Sequence, residues 1–383
     1  MDIDTRILLD FPNIAIERLT FLLNNNPVKL NGSLSFAEPF TCDFKLNSNF
    51  RSMEGIKTSL LKNISVNASV KLIGNKINFN GTLNIVLPEK KKGSLPLEKI
   101  ELDLRELDFS MQESPLLKLS ANKLGFFCKT TANEYKINLD NLMLEFYKLT
   151  PRTKLIKFRS KFYDGNVEGN GKIEIRSFSP VITALLRIKK AESNKLGGIL
   201  EHFNKIHGKL GSQMYFASYP QMTLKGSLDI QGGYIEDFEF FKWLADLFNL
   251  PSLRKIGFTK AGSDFLVNEE GASLIRMNMD SPDVKLNGNF KLGENNMAKS
   301  NISLSFSRPL LATSRKFTPL LRLLENKFEF LNFDFQMSGN LDRMNFQWLK
   351  SDFRDKVSQA IPGFMERKIE RDIEDFINTI YAQ

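Results

Sequence analysis

Histidine is nearly missing: the 383 residues include 2, His202 and His207. They are five apart on a segment that reads as helical, whereas two metal ligands on one helix need to stand three or four apart. No cysteine or carboxylate cluster joins them. The 2 cysteines, Cys42 and Cys128, make neither a CxxC motif nor a disulfide framework. Both fall in strand-like segments and read as small core residues. No Gly-x-Ser-x-Gly elbow, P-loop, His-Glu-x-x-His or full Gly-x-Gly-x-x-Gly is present. The expectation is a protein that is not an enzyme and needs no cofactor and no metal.

Long apolar runs are also missing, so no transmembrane helix is expected. The start, Met1-Asp2-Ile3-Asp4-Thr5-Arg6, is acidic where a secretory signal is basic. Strand-like sequence follows at once, and the expectation is that the chain belongs to a longer protein. Trp (2) and Tyr (7), which dominate many protein-binding surfaces, are scarce.

Phenylalanine is abundant instead, at 33 residues. Its ring has no polar tip and needs a dry place. Hydrophobic residues make up 42% and charged residues 25%, enough to exclude a disordered chain. The net charge of +9 suits anionic partners such as phospholipid headgroups or nucleic acid. The charge is spread out. The one dense run, Glu89-Lys90-Lys91-Lys92-Gly93, reads as a solvated turn. The aromatics share a parity opposite the lysines, which argues against nucleic acid, where basic and stacking groups interleave.

The strongest pattern is alternation of period two, that of a half-buried strand. Val28, Leu30, Leu34 and Phe36 share a parity with Gly32. The pattern recurs in Ile77, Phe79, Gly81, Leu83 and Ile85, and again in Gly171, Ile173 and Ile175. Met222, Leu224, Gly226, Leu228 and Ile230 repeat it, as do Val284, Leu286, Gly288, Phe290 and Leu292, then Met337, Gly339 and Leu341. The central glycines are 49, 90, 55, 62 and 51 residues apart, a degenerate repeat of several strands with one diverged unit. Segments between them, such as Ile64 to Leu72, alternate too. Gly74-Asn75 reads as a hairpin turn, and phase slips near Glu106 and between Thr20 and Leu23 read as bulges or as turns that the alternation misses.

A glycine on an apolar face lets a sheet bend sharply or lets something approach the backbone. Repeated at Gly32, Gly81, Gly171, Gly226, Gly288 and Gly339, it would crease the sheet into a trough lined by the apolar residues just named. The competing reading is an ordinary bulge in each strand, with the face packed on a second sheet. Spacing alone leaves both open.

Four segments read as helical. Residues 179–212 read as a helical insertion, with Pro180 near a first turn. Residues 237–249 read as a helix with a narrow polar face that must be buried. Residues 317–324 form a shorter candidate. The last, 351–383, reads as an amphipathic helix broken at Pro362-Gly363. Its polar face mixes both charge signs, which favours packing on the end of the sheet over lying on a membrane.

The segment Gly226 to Leu292 carries a further likeness. It runs Gly-Ser-Leu-Asp-Ile, then Gly-Gly-Tyr-Ile-Glu-Asp, then a helix with Phe241, Trp243, Leu244 and Phe248. Pro251, Leu253, Ile256 and Phe258 follow, then Ile275, Met277, Met279 and Ser281, and a closing Leu286-Asn-Gly-Asn-Phe strand. This order resembles the C-terminal region of AsmA-like proteins, the TamB-related bridge-like lipid transport proteins. It is clearest over about residues 213–345.

The resemblance implies a mainly β fold: an elongated, curled antiparallel β-sheet that forms a hydrophobic groove, with a few helices and a C-terminal helical cap. About 18 to 20 strand-like segments, each about 4.8 Å from the next, would make a rod on the order of 90 Å long. The expected organisation is 1–178 as the N-terminal part of the rod, 179–212 as the insertion, 213–350 as the C-terminal groove with its embedded helix, and 351–383 as the cap. The implied function is non-enzymatic transport of phospholipid, or another acyl-chain lipid, between inner and outer membranes. The implied place is the periplasm, with an inner-membrane anchor in a full-length parent and membrane proteins at both ends as partners. The alternative is a scaffold for outer-membrane protein assembly or envelope integrity.

Overall fold

In a computed structural model of the chain, the described residues are 4–23, 25–50, 63–73, 76–86, 97–109, 115, 117–129, 134–176, 180–198, 201–293, 297–324, 328–340, 343–350, 353, 373–374 and 377. The fold is mainly β: 20 strands in one antiparallel sheet that is not closed into a barrel. It divides into two compact units, Met1–Leu186 and Arg187–Gln383.

The first unit holds β1 (Asp4–Asp10), β2 (Asn13–Leu23), β3 (Asn26–Ser35), β4 (Thr41–Phe50), β5 (Asn63–Ile73), β6 (Lys76–Val86), β7 (Leu97–Phe109), β8 (Leu117–Lys129), β9 (Glu134–Lys148), β10 (Thr153–Phe162) and β11 (Gly165–Ile175). Each pairs antiparallel with the next in the chain. The unit boundary falls within β12 (Pro180–Glu192).

The second unit holds β13 (Ile206–Ala217), β14 (Thr223–Glu236), β15 (Lys255–Asn268), β16 (Gly271–Asp280), β17 (Val284–Gly293), β18 (Met297–Ser307), β19 (Phe330–Asn340) and β20 (Arg343–Trp348). The same neighbour-to-neighbour pairing runs from β13 to β20. Among the described residues, three α-helices interrupt it: α1 (Glu239–Phe248), α2 (Arg308–Ala312) and α3 (Thr318–Leu323).

Residues 180–192 are a strand, not the helix expected over 179–212. The run Val181-Ile182-Thr183 is β-branched and favours a pleated surface. Pro180 opens the strand, where a missing N–H costs least. Among the described residues, helical character in this stretch is confined to two 3₁₀ turns, Ser193–Gly198 and Glu201–Lys205. His202 therefore lies in a 3₁₀ turn and His207 in β13, so no single helix carries both. One predicted bulge stands, between Leu104 and Glu106. The other lies earlier than expected, between Ile16 and Leu19. The turns at Gly74-Asn75 and Glu89–Gly93 lie outside the described residues, although Ile73 faces Lys76 across the first. Of the expected helix 351–383, only Phe353, Ile373, Glu374 and Ile377 are described; all are helical, and all but Glu374 are buried.

The expected helix at 237–249 forms as α1. Phe240, Phe241, Leu244, Ala245 and Phe248 fall on one stripe and are buried. Each large side chain so buried contributes about 2 kcal/mol. The helix stops at Asn249, which is left-handed (φ 52°). Its N–H donates to the Asp246 carbonyl, and the Leu250 N–H donates to that of Ala245. This is a Schellman stop, and Pro251 then opens a single 3₁₀ turn, Pro251–Arg254.

Candidate functional site

Register aligns the apolar parity of neighbouring strands into rungs. In the first unit one rung reads Val28, Ser48, Val66, Leu83, Leu102, Leu124 and Leu139. The next reads Leu30, Leu46, Ala68, Gly81, Leu104, Ala121 and Leu142. Beyond it come Gly32, Phe44, Val70 and Phe79, then Leu34, Cys42, Leu72 and Ile77. Ile85 lies on the far side of the first, with Ile64, Ile100, Phe126 and Ile137. The candidate residues from β3 and β6 thus share one face.

The second unit repeats the arrangement. Phe216, Leu224, Val267, Ala272, Leu292 and Ala298 form one rung. Met214, Gly226, Phe265, Leu274, Phe290 and Ser300 form the next. Gly339 extends the first of these and Met337 the second. Leu341 lies outside the described residues.

Burial along these strands is graded, and the glycine stands at the midpoint. Val28 is 3% exposed and Phe36 51%, with Gly32 four residues from each. The same holds for Val167 (7%) and Ile175 (51%) about Gly171, and for Ile230 (3%) and Met222 (45%) about Gly226. Val284 is 1% exposed, while Leu292, across Gly288, is half-exposed. One end of each of these four strands is closed and the other open.

At several glycines the neighbouring backbone lies where a side chain would begin. A Cβ on Gly32 would come within 2.8 Å of the Phe44 Cα, and one on Gly226 within 2.9 Å of the Met214 Cα. One on Gly288 would meet the Asn301 carbonyl at 2.6 Å. Gly81 is crowded in the same way, with the Asn67 carbonyl at 2.3 Å and the Ala68 Cα at 2.4 Å. Gly171 differs: its nearest neighbour would stand at 3.6 Å, and the crowded position in that strand is Gly169, against Phe158.

The two units cover this face differently. Among the described residues of the first unit there is no helix, and most of the apolar parity is half-exposed. In the second unit α1 lies on the closed end. Phe248 packs against Phe306 (5.9 Å between ring centres), Phe317 (5.3 Å), Phe333 (5.2 Å) and Trp348 (5.8 Å). Phe240 and Trp243 meet Phe335 at 5.5 and 5.9 Å, and Phe353 stacks on Phe333 at 4.8 Å. Val284, Leu286 and Met337, expected on an open surface, are buried here. The sequence showed that this helix needed an apolar partner; the strands that supply it come from later in the chain.

The opposite parity carries the charge. Arg6 pairs with Glu17 and Arg18 with Asp4, both at 2.8 Å, and Lys71 pairs with Asp43 at 2.9 Å. Hydrogen bonding from Lys99, at 2.6 Å, holds the Glu101 carboxyl below the usual carboxylate range. Lys242, three residues on, does the same for Glu239 in the first turn of α1. His207 stacks on Tyr234 (4.2 Å), with its Nε2 3.0 Å from Glu236. Among the described residues, no group of three or more His, Cys, Asp or Glu is placed to hold a metal ion.

The chain matches no protein-family model, no curated protein and no solved structure.

Proposed function

We propose that the open part of the apolar face holds the acyl chains of a lipid, and that the protein is a non-enzymatic lipid carrier. One observation carries this reading: in the first unit, rung after rung of half-exposed Leu, Ile, Val and Phe continues across neighbouring strands with no covering helix among the described residues. Bare in water, such a surface would invite aggregation. An acyl chain laid on it gains about 0.8 kcal/mol per buried CH₂. The charged parity on the other face keeps the sheet soluble. No bond need be made or broken.

The resemblance to AsmA-like proteins extends the proposal. The lipid is phospholipid, the place is the periplasm, and the parent protein passes lipid between inner and outer membranes. The tight glycines at Gly32, Gly81, Gly226 and Gly288 would crease the sheet where the closed end meets the open one.

The test is lipid content. The protein is purified without harsh detergent and its lipid extracted and identified by mass spectrometry. Wild type is expected to carry phospholipid. Leu34→Asp and Leu224→Asp, both at half-exposed positions, are expected to lose it while keeping their circular dichroism. A wild-type chain that carries no lipid, and takes none from vesicles, would overturn the proposal.

The scaffold reading has one observation of its own. Strand β1 is exposed along its whole length, including Ile7, Leu8 and Leu9, and among the described residues no strand pairs with its outer edge, which could add one. That reading expects Leu8→Pro to abolish function and Leu34→Asp to spare it.

A further inference from the structure

The open margin of the apolar face carries a pair of like charges. Lys148 of β9 and Lys154 of β10 are direct register partners, and Lys154 in turn faces Ile173 of β11. Both lysines belong to the apolar parity, since the next rung inward is Phe146, Ile156 and Gly171. Cross-strand partners hold their Cβ atoms about 5 Å apart, and like charges so placed repel.

Nothing among the described residues relieves that repulsion. Neither lysine has an ion-pair partner there. The carboxylates close by are taken on the other parity. Glu174 is engaged by Lys172 (3.8 Å) and Arg176 (3.5 Å), and Glu145 accepts from the Tyr147 hydroxyl (2.7 Å). The hairpin turn adds a further exposed cation, Arg152.

We propose that Lys148 and Lys154 form a phosphate site at the margin of the apolar face, taking the headgroup phosphate of a lipid whose chains lie on the rungs inward of it. This rests on the lipid-binding reading and deepens it. A phosphate between two ammonium groups turns their repulsion into two charge-assisted contacts. Ile173 stands beside Lys154 in the same rung, and the exposed Ile175 follows two residues on with the same parity, so glycerol and upper chain carbons have apolar neighbours on that face.

The test uses the full chain and two fluorescent probes with identical acyl chains, phosphatidic acid and diacylglycerol. Wild type is expected to bind phosphatidic acid on the order of tenfold more tightly. Lys148→Gln with Lys154→Gln keeps most of each aliphatic stem. It is expected to bring the two probes within about twofold of each other while leaving diacylglycerol binding unchanged. Equal affinities in wild type, or a preference that survives the double substitution, overturn the site. If diacylglycerol does not bind wild type, the acyl-chain reading has failed instead. Titration with inorganic phosphate alone then decides: binding lost in the variant keeps an anion site for free phosphate, and no binding to wild type overturns it.

Discussion

The Ser314 hydroxyl donates to the Phe248 carbonyl over 2.7 Å, and Ser314 is almost wholly buried. The last carbonyls of a helix lack partners within it. Here the connection between β18 and β19 supplies them, because Lys316 also donates to the Leu247 carbonyl at 3.0 Å. The stop of α1 is thus completed by a segment more than sixty residues further along the chain. Replacing Ser314 by alanine leaves a buried carbonyl short of a donor and is expected to cost about 1–3 kcal/mol. Urea unfolding followed by tryptophan fluorescence reads this directly, since Trp243 and Trp348, the 2 tryptophans of the chain, both lie in the second unit.

Phe248→Ala is expected to cost more, about 3–5 kcal/mol. The ring is fully buried among Phe306, Phe317, Phe333 and Trp348, which come from different elements and cannot all close on the space it leaves. The same fluorescence experiment should show the larger loss, with far-ultraviolet circular dichroism of the first unit preserved.

Two glycine substitutions should part company. Gly81→Ala drives a methyl into the backbone of β5 and is expected to destabilise by about 1–3 kcal/mol. Gly171→Ala places its methyl at ordinary contact distance, 3.6 Å or more. It should be neutral or stabilising by up to about 1 kcal/mol, because alanine has less freedom to lose on folding. Thermal unfolding followed by circular dichroism compares them. Equal effects would mean that crowding at Gly81 is absent in solution.

Glu101 sets a pH dependence. Its carboxyl is held low by the hydrogen bond from Lys99, with Lys136 behind it at 3.5 Å. A lowered folded-state value means that the stabilisation is present above the ordinary carboxylate range and is lost as pH falls through the lowered one. The group is partly exposed, so the effect is small. Lys99→Ala is expected to raise the Glu101 midpoint toward its ordinary value in a carbon-detected NMR titration. Its destabilisation at about pH 7 should vanish near about pH 2.

Period-two alternation was enough to place β3, β6 and β17 and the first half of β14, through Ile230, because polar and apolar parities run there without interruption. It failed at β12, where the doublets Leu185-Leu186 and Lys189-Lys190 break the alternation and imitate a helix face. Lys190 has a left-handed backbone (φ 57°), which marks an irregularity that sequence spacing does not show. The graded burial about Gly32, Gly171, Gly226 and Gly288 was not legible either, since alternation says which face a residue is on and not how deep it lies. Lys148 and Lys154 look like two solvated lysines flanking a Thr-Pro turn until the hairpin register sets them opposite each other. The partners of α1 stayed hidden for a similar reason: Phe306, Phe333 and Trp348 are 58 to 100 residues away in the chain.

Pairing of each strand with its chain neighbours has a kinetic consequence. Apart from the contacts that α1 makes with later strands, nearly every strand closes against a segment already adjacent in sequence, so ordering can spread hairpin by hairpin at little loop-closure cost. Such a polymer should emerge from the ribosome and order progressively, and it should tolerate gain or loss of a hairpin without refolding the remainder. The aromatic cluster under α1 is the exception: it waits until Trp348 has been synthesised, so the second unit should be the last to become resistant to protease.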